Sequence, residues 1–412
     1  MLAQLRDVPQ LHLKAQLEAL IDIKLPGAPA GFTTGYAEHI LSGNSADFHF
    51  DDNSLEDIDI EITSAEMEEM VTATWAFIDN DVPEITAKII DDSAKLLAKA
   101  LHKDWPGQRA WQIETQTGFR TRLEARWGKA FDLLRMMYTI AYEIGGDVQQ
   151  RARRSRARRN LVLRDTLIHL HVRACQVVAE ILCLMENGFA DGAMARWRTL
   201  HEIVIVASVI AEHGEELAER YRAHEAIEAK RALDRFLVSH TGLGLAPPSQ
   251  ADIRVTERRY QAMLVRYGDN FGAEYGWAAH HLQLKKPRFI DLEAAANKLA
   301  MRSYYVLASY NVHASAKGIA HRLGLIKGPG SPSGISGASN AGFIDPAQNA
   351  AFDLTAMTAL LVQRGIRIDR AIELKALVVL RDKMAGALAK AQRELLKAHR
   401  DELSRRQAAK QG

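Results

Sequence analysis

Apolar side chains recur along most of the chain at spacings of three and four, the mark of helices that bury one face. The clearest run is Phe119, Leu123, Trp127, Phe131, Leu134 and Tyr138, which predicts an amphipathic helix over about 108–145. Upstream, Thr63-Ser-Ala-Glu66 has the form of a capping box and should start a helix. Pro83 suits the first turn of another, running to about residue 103. Downstream the pattern predicts three long helices, about 160–187, 189–213 and 215–240, separated at Asn187-Gly188 and His213-Gly214. Helices resume at about 250–267 and 291–323, start again at Asp345-Pro346, and end with a long basic one over about 367–407. Residues 1–46 read as irregular, with one short helix around 11–23. Residues 55–62, LEDIDIEI, alternate acid and apolar side chains, which suits a short strand or an extended interaction segment. Strand signals are nearly absent after residue 63, and no repeat has a fixed period. The expected fold is all-α: a multi-helix bundle with a variable, acidic N-terminal region and a long basic C-terminal helix.

The chain has 412 residues, 47% hydrophobic and 25% charged, with a net charge of +2. Such a length holds two or three domains. The division expected is 1–155, a variable helical region with an arginine-rich linker, and 156–412, a helical bundle whose motifs fall within 160–323. Cys175 and Cys183 lie eight residues apart on one expected helix, about 12 Å along its axis, too far for a disulfide. They read as small buried apolar residues in a reducing compartment. The first twenty residues lack a basic stretch followed by an apolar one, so no signal peptide is expected. No apolar run approaches the ~20 residues of a membrane span, the longest being 203–211. A cytoplasmic protein with no membrane association is the expectation.

Charge is distributed unevenly. Residues 46–84 hold thirteen Asp or Glu and no Lys or Arg, whereas 151–159, RARRSRARR, hold six arginines in nine positions. Arg151, Arg153, Arg154, Arg156, Arg158 and Arg159 point in all directions around a helix and suit a phosphate backbone. The plain alternative is a solvated linker, or a run masked by the acidic segment.

Three helices carry candidate chemistry. On 189–213, Arg198 and Glu202 lie one turn apart with His201 between them, in an otherwise apolar stretch. A buried charge is costly unless paired, so partners from other helices are expected; a structural ion pair is the alternative. On 291–323, Tyr305, Ser309, His313, Lys317 and His321 repeat every four residues, a polar stripe able to bind an anion or move protons, or simply a solvated face. On 215–240, Tyr221, His224, Glu228 and Arg231 lie near one face, which equally fits a solvated charged helix. Several chemistries are excluded. There is no GxxxxGK[ST] phosphate loop, no cysteine zinc spacing, no Glu-x-x-His pair of a di-iron bundle and no GxSxG elbow. No cofactor and no metal are expected.

The stretches ARWRTLHE, ERYRAHEAIEAKR, YGWA at 275–278 and YNVHAS at 310–315 resemble a bacterial family of helical domains of unknown function. Its members carry an Arg-[Ser/Thr]-Leu-x-Glu helix and a later His-x-Ser helix. The resemblance covers about 160–323 and singles out Arg198, Glu202, Tyr221, Trp277 and His313; it implies no activity. A weaker likeness is to the HEPN superfamily of helical ribonucleases, whose Arg-x4-His spacing is met by Arg196 and His201, with Trp197 where a polar residue is usual.

Two readings follow. In the first, the protein is a metal-independent RNA-cleaving or nucleotide-handling member of a stress or defence system. Arg198 binds phosphate, Glu202, His313 and His201 form the catalytic set, and Ser309, Tyr305, Tyr221 and Lys317 bind substrate. In the second it is a non-enzymatic interaction or regulatory module. RNA or another phosphate-bearing ligand is the expected partner, with homo-oligomerisation through the C-terminal helix. Convergence of Arg198, Glu202, Tyr221 and His313 in one cleft favours the first; scatter or sealing favours the second.

Overall fold

A computed structural model describes residues 7–50, 59–154, 159–326, 334–363 and 367–411, and all regular structure among them is helical. The chain forms two compact units, Met1–Ile113 and Glu114–Gly412, so the division falls well before the residue 155 expected from sequence. The reason is that the amphipathic stretch 119–138 packs into the second unit's core instead of preceding it.

In the first unit, α1 (Val8–Lys24), α2 (Phe32–Leu41) and α3 (Ser64–Ala76) surround a small core of Leu17, Ile21, Phe32, Ala37 and Met70. The capping box forms as expected: the Glu66 amide donates to Thr63 Oγ1 (3.3 Å) and the Thr63 amide to Glu66 Oε2 (2.8 Å). Of the alternating segment, 51–58 lie outside the described residues and 59–62 have no regular structure. A π-helical turn (Phe77–Asp81) leads into α4 (Val82–Arg154). The sequence reads as two helices here, one ending near residue 103 and one beginning near 108, and Pro106 in the gap would cost a continuous helix one hydrogen bond and crowd the preceding turn. The helix instead continues through it, carried by the helix-forming runs AKLLAKALHK and QRAWQIETQ on either side. Ile89, Leu96, Leu97, Leu101, Trp105 and Trp111 stay exposed along this stretch.

The second unit takes the rest of α4, then α5 (Leu161–Glu186), α6 (Ala190–His213), α7 (Glu215–Ala223), α8 (Glu225–Ser239), α9 (Gln250–Tyr267), α10 (Phe289–Ala295), α11 (Arg302–Tyr310), α12 (Ala316–Ala320), α13 (Ile344–Val362) and α14 (Ile368–Gln411). α6 is central, packed by α5, α7, α10, α11 and α13. Trp197, Leu200, Val204, Ile205, Val209 and Ile210 on it are fully buried, and each such aliphatic residue contributes about 1.5–3 kcal/mol. Gly188 and Gly214 adopt the positive φ that ends α5 and α6 where the sequence places the breaks. The expected helix 215–240 is divided at His224, whose Nε2 meets the Ala273 carbonyl at 3.0 Å.

The expected helix 291–323 is not continuous. It becomes α10, a short 3₁₀ turn (Leu299–Met301), α11 and α12. Ser315 caps α12, accepting from the Gly318 amide at 3.1 Å, and a Cβ at Gly318 would lie 2.3 Å from the Tyr310 carbonyl oxygen. The chain therefore folds back at 311–314, and the four-residue stripe is cut after Ser309.

The glycine- and serine-rich loop 324–345 is expected from composition to be mobile and lid-like. Residues 327–333 lie outside the described residues and 334 and 336–338 are exposed, but 339–343 pack down. The Ser339 amide donates to the Gly188 carbonyl at 2.9 Å, Ser339 Oγ to the Gly324 carbonyl at 2.6 Å, and Phe343 is fully buried against Trp127 and Phe131. The aromatic side chain outweighs the loop's weak composition. α14 buries Leu377, Met384, Leu388, Ala391 and Leu395, so its apolar seam is covered within the chain.

Among the described residues α5 alone has the length and composition to cross a membrane, a feature masked in the sequence by Arg173 and Glu180. Yet 56% of that apolar window is buried inside the fold. Cys175 is buried, which pushes its thiol up to about 12, while Cys183 is exposed; both are free.

Candidate functional site

The sequence of α6 sets two adjacent faces. Trp197 and His201, four apart, point into the core; Arg198 and Glu202, the next residues, lie at its edge. The outer pair is joined by Tyr305 from α11. Arg198 Nε donates to Glu202 Oε1 (3.1 Å), Arg198 Nη2 to Tyr305 Oη (2.9 Å), and Tyr305 Oη to the same Glu202 oxygen (2.6 Å). The guanidinium also lies 4.7 Å from the Tyr305 ring centroid. Burial and the neighbouring Glu202 carboxylate push the Tyr305 phenol above its ordinary range, against the opposing pull of Arg198. Tyr275, by the same cluster, is pushed up to about 12, first by burial and then by the charges of Glu274 and Glu202. Arg198 Nη1 and Glu202 Oε2 take no part in these bonds.

Behind this cluster lies a buried polar array. Trp197 Nε1 donates to Asp353 Oδ2 of α13 at 2.8 Å, and His201 Nδ1 meets the same oxygen at 3.0 Å. His201 Nε2 faces Glu293 Oε1 of α10 at 3.8 Å, too long for a hydrogen bond, and neither of these two atoms has another partner. Arg302 Nη1 donates to Glu293 Oε2 at 2.6 Å, and its guanidinium lies 5.2 Å from the Tyr305 centroid. His201 and Glu293 have no exposed surface and Asp353 almost none. The array ties α6, α10, α11 and α13 together. It can hold register, but His201 touches no solvent and so no substrate in this arrangement.

The remaining candidates disperse. His313 sits exposed on the fold-back and makes no side-chain hydrogen bond or ion pair among the described residues. Ser309 Oγ donates to the Tyr305 carbonyl at 2.9 Å. Lys317, on α12, lies 4.9 Å from the Tyr310 ring centroid. Tyr221 packs edge-on against Trp277 at 5.2 Å, and burial pushes its phenol up. Its neighbour Arg220 is buried under the Trp277 carbonyl and the Tyr267 ring. The residues of the Arg-x4-His pattern also part: Arg196 pairs with Glu180 of α5 at 2.5 Å, while His201 faces α13.

Of the arginine run, Arg151, Arg153 and Arg154 close α4 and Arg159 precedes α5, all four exposed; Arg156 and Arg158 lie outside the described residues. Arg151 lies 3.6 Å from Asp147, whereas Arg153, Arg154 and Arg159 meet no carboxylate among the described residues. Sequence spacing singles out neither Asp353 nor Glu293, while Arg302, three residues before Tyr305, lies on the same face as the expected stripe. A signal for Asp353 was present: it is the one acid after Asp345 in an otherwise uncharged helix. No group of three or more His, Cys, Asp or Glu placed to hold a metal ion occurs among the described residues.

Residues 164–330 match the model of a family of unknown function (DUF5677), which corresponds to the resemblance carried by 160–323. The match contains α6, α10 and α11, and ends before Asp353 and α14. No curated protein and no solved structure matches the chain.

Proposed function

We propose that the chain is a non-enzymatic helical module that binds a phosphate-bearing ligand, RNA in particular, at the junction of α4 and α5. The observation that carries this reading is the set of exposed arginines that meet no carboxylate among the described residues: Arg153, Arg154 and Arg159. Arg135, Arg196, Arg198, Arg222, Arg302 and Arg370 are each held by a carboxylate. Other exposed arginines, such as Arg120 and Arg254, also meet none among the described residues, but the junction places three within seven positions. Unpaired guanidiniums crowded on one junction repel one another, and phosphates relieve that repulsion with release of counter-ions.

The cluster around Tyr305 supports binding or architecture better than acid–base work. Its three groups satisfy one another, its phenol is held protonated, and no imidazole reaches it from the solvent side. A general acid or base works best with a pKa near the working pH. A second reading, metal-independent ribonuclease activity of the HEPN kind, keeps one support: Arg198 Nη1 and Glu202 Oε2 take no part in the bonds within the cluster, which leaves a guanidinium edge and a carboxylate oxygen on the partly exposed edge of α6. The experiment is to mix the full chain with a fluorescent single-stranded RNA in EDTA, and to follow both anisotropy and strand length. Binding with intact RNA is expected. Cleavage abolished by Glu202→Gln would establish the second reading, and absence of binding at low salt would defeat the first.

A further inference from the structure

The arginine junction encloses a cavity of about 350 Å³. Five arginines from four places line it: Arg151 at the end of α4, Arg159 before α5, Arg164 on α5, and Arg367 with Arg370 where α14 begins. Its floor is apolar, formed by Leu163 and Leu167 of α5 and Leu360, Leu361 and Val362 of α13. Arg370 is nearly buried and fixed, bonded to Glu373 at 2.6 Å and to Asp147. Arg151 shares Asp147, and Arg367 lies 3.2 Å from Asp369. Five guanidiniums therefore meet three carboxylates, and Arg159 and Arg164 have no partner among the described residues. The amides that open α5 are already taken: those of Val162 and Leu163 donate to Glu215 at 2.9 and 2.8 Å. The Val162 and Leu163 amides are thus not free for an anion in the cavity, and the arginine side chains are its charged groups.

We propose that this cavity is a binding site for a terminal nucleoside phosphate, carried either by a free nucleotide or by the 5′ end of an RNA; this rests on the reading of the junction as a phosphate-binding face. The volume lies at the small end of the ~300–1,000 Å³ typical of ligand sites, room for one nucleotide and not for a duplex. Arg159 and Arg164 take the phosphate, since guanidinium forks match its oxygens two at a time. The sugar and base lie over Leu163, Leu167 and Val362, with arginine planes able to stack on the base. Arg370, already satisfied by two carboxylates, holds the α14 end of the wall in place.

The test is calorimetric titration of the full chain at low salt with AMP, adenosine, inorganic phosphate, and two RNA oligomers that differ only in a 5′-phosphate or 5′-hydroxyl. AMP should bind one to one, with adenosine and inorganic phosphate each about tenfold weaker or more, since each lacks one half of the contacts. Arg159→Gln with Arg164→Gln should weaken AMP by about a hundredfold, one factor of ten per lost charge-assisted contact. The unfolding midpoint should not move, because neither arginine has a partner to lose among the described residues. Arg254→Gln, on α9 and outside both the cavity and the junction, should leave AMP binding unchanged. A preference for the 5′-phosphorylated oligomer assigns the source to RNA ends, and equal RNA binding beside tight AMP assigns it to free nucleotide. RNA binding without AMP binding and without that preference overturns the cavity proposal while the junction reading stands. No binding of either overturns both. AMP affinity unaffected by the double substitution also refutes the site.

Discussion

Truncating Asp353 to alanine should destabilise the second unit more than any exposed substitution. Its carboxylate is nearly inaccessible, and one oxygen receives both Trp197 Nε1 at 2.8 Å and His201 Nδ1 at 3.0 Å. Both donors are themselves fully buried, so no water replaces the lost acceptor. An orphaned buried polar group costs about 1–3 kcal/mol, which for two gives about 2–6 kcal/mol. Asp353→Asn keeps one oxygen for the indole and should lose about 1–2 kcal/mol. Urea unfolding followed by far-ultraviolet circular dichroism reads these differences as shifts in midpoint at constant slope. Trp197→Phe removes one of the two donors. In that background Asp353→Ala should therefore cost at least about 1 kcal/mol less than in the wild type. If Asp353→Ala lies within about 1 kcal/mol of the wild type, or if the two changes simply add, the array is not what joins α6 to α13.

Glu202→Ala removes a carboxylate whose side chain is 37% exposed. Its loss should be about 1–2 kcal/mol in the same urea assay, not the ~3–5 kcal/mol of a sealed pair; a larger fall would mean the outer cluster is as buried in solution as the inner one. His171 is held near 4 by burial, below its ordinary 6.5, so the unfolded chain binds its proton more readily. Stability should fall as pH drops from about 6.5 to about 4, by up to roughly 3 kcal/mol, and His171→Gln should flatten that part of the thermal-midpoint curve. An unchanged curve in the variant would discount the buried imidazole. Gly145→Ala would place a Cβ 2.8 Å from the His171 ring, so a loss of about 1–3 kcal/mol is expected by calorimetry, and a neutral result would show that the α4–α5 contact is looser than drawn.

The helical frame was legible because local signals agree with it. Thr63 and Glu66 supply a cap, Gly188 and Gly214 supply the left-handed turns, and α9 spans the 250–267 expected of it. The polar site was half legible. The cost of burying Arg198 and Glu202 correctly demanded a partner, and Tyr305 meets it. His313 was paired with them only by assuming a continuous helix; Ser315 is a cap, not a helical interior, and that changes the direction of everything after Tyr310. Asp353 and Glu293 lie far along the chain from His201, so no periodicity links them, although a lone acid in the apolar α13 raises the same question as Glu202. The gap expected between 103 and 108 is absent, since helix-forming runs on both sides carry α4 through Pro106.

The central claim is that the arginine junction binds phosphates, and its most direct measurement is the salt dependence of RNA affinity. Anisotropy titrations of a single-stranded RNA between low and physiological salt give a slope of log affinity against log salt. For single strands each phosphate contact contributes about 0.7 to that slope. Replacing Arg153, Arg154 and Arg159 together by glutamine should therefore reduce its magnitude by about 2 and weaken binding at low salt. An RNA affinity with the same slope in wild type and triple variant would contradict the account.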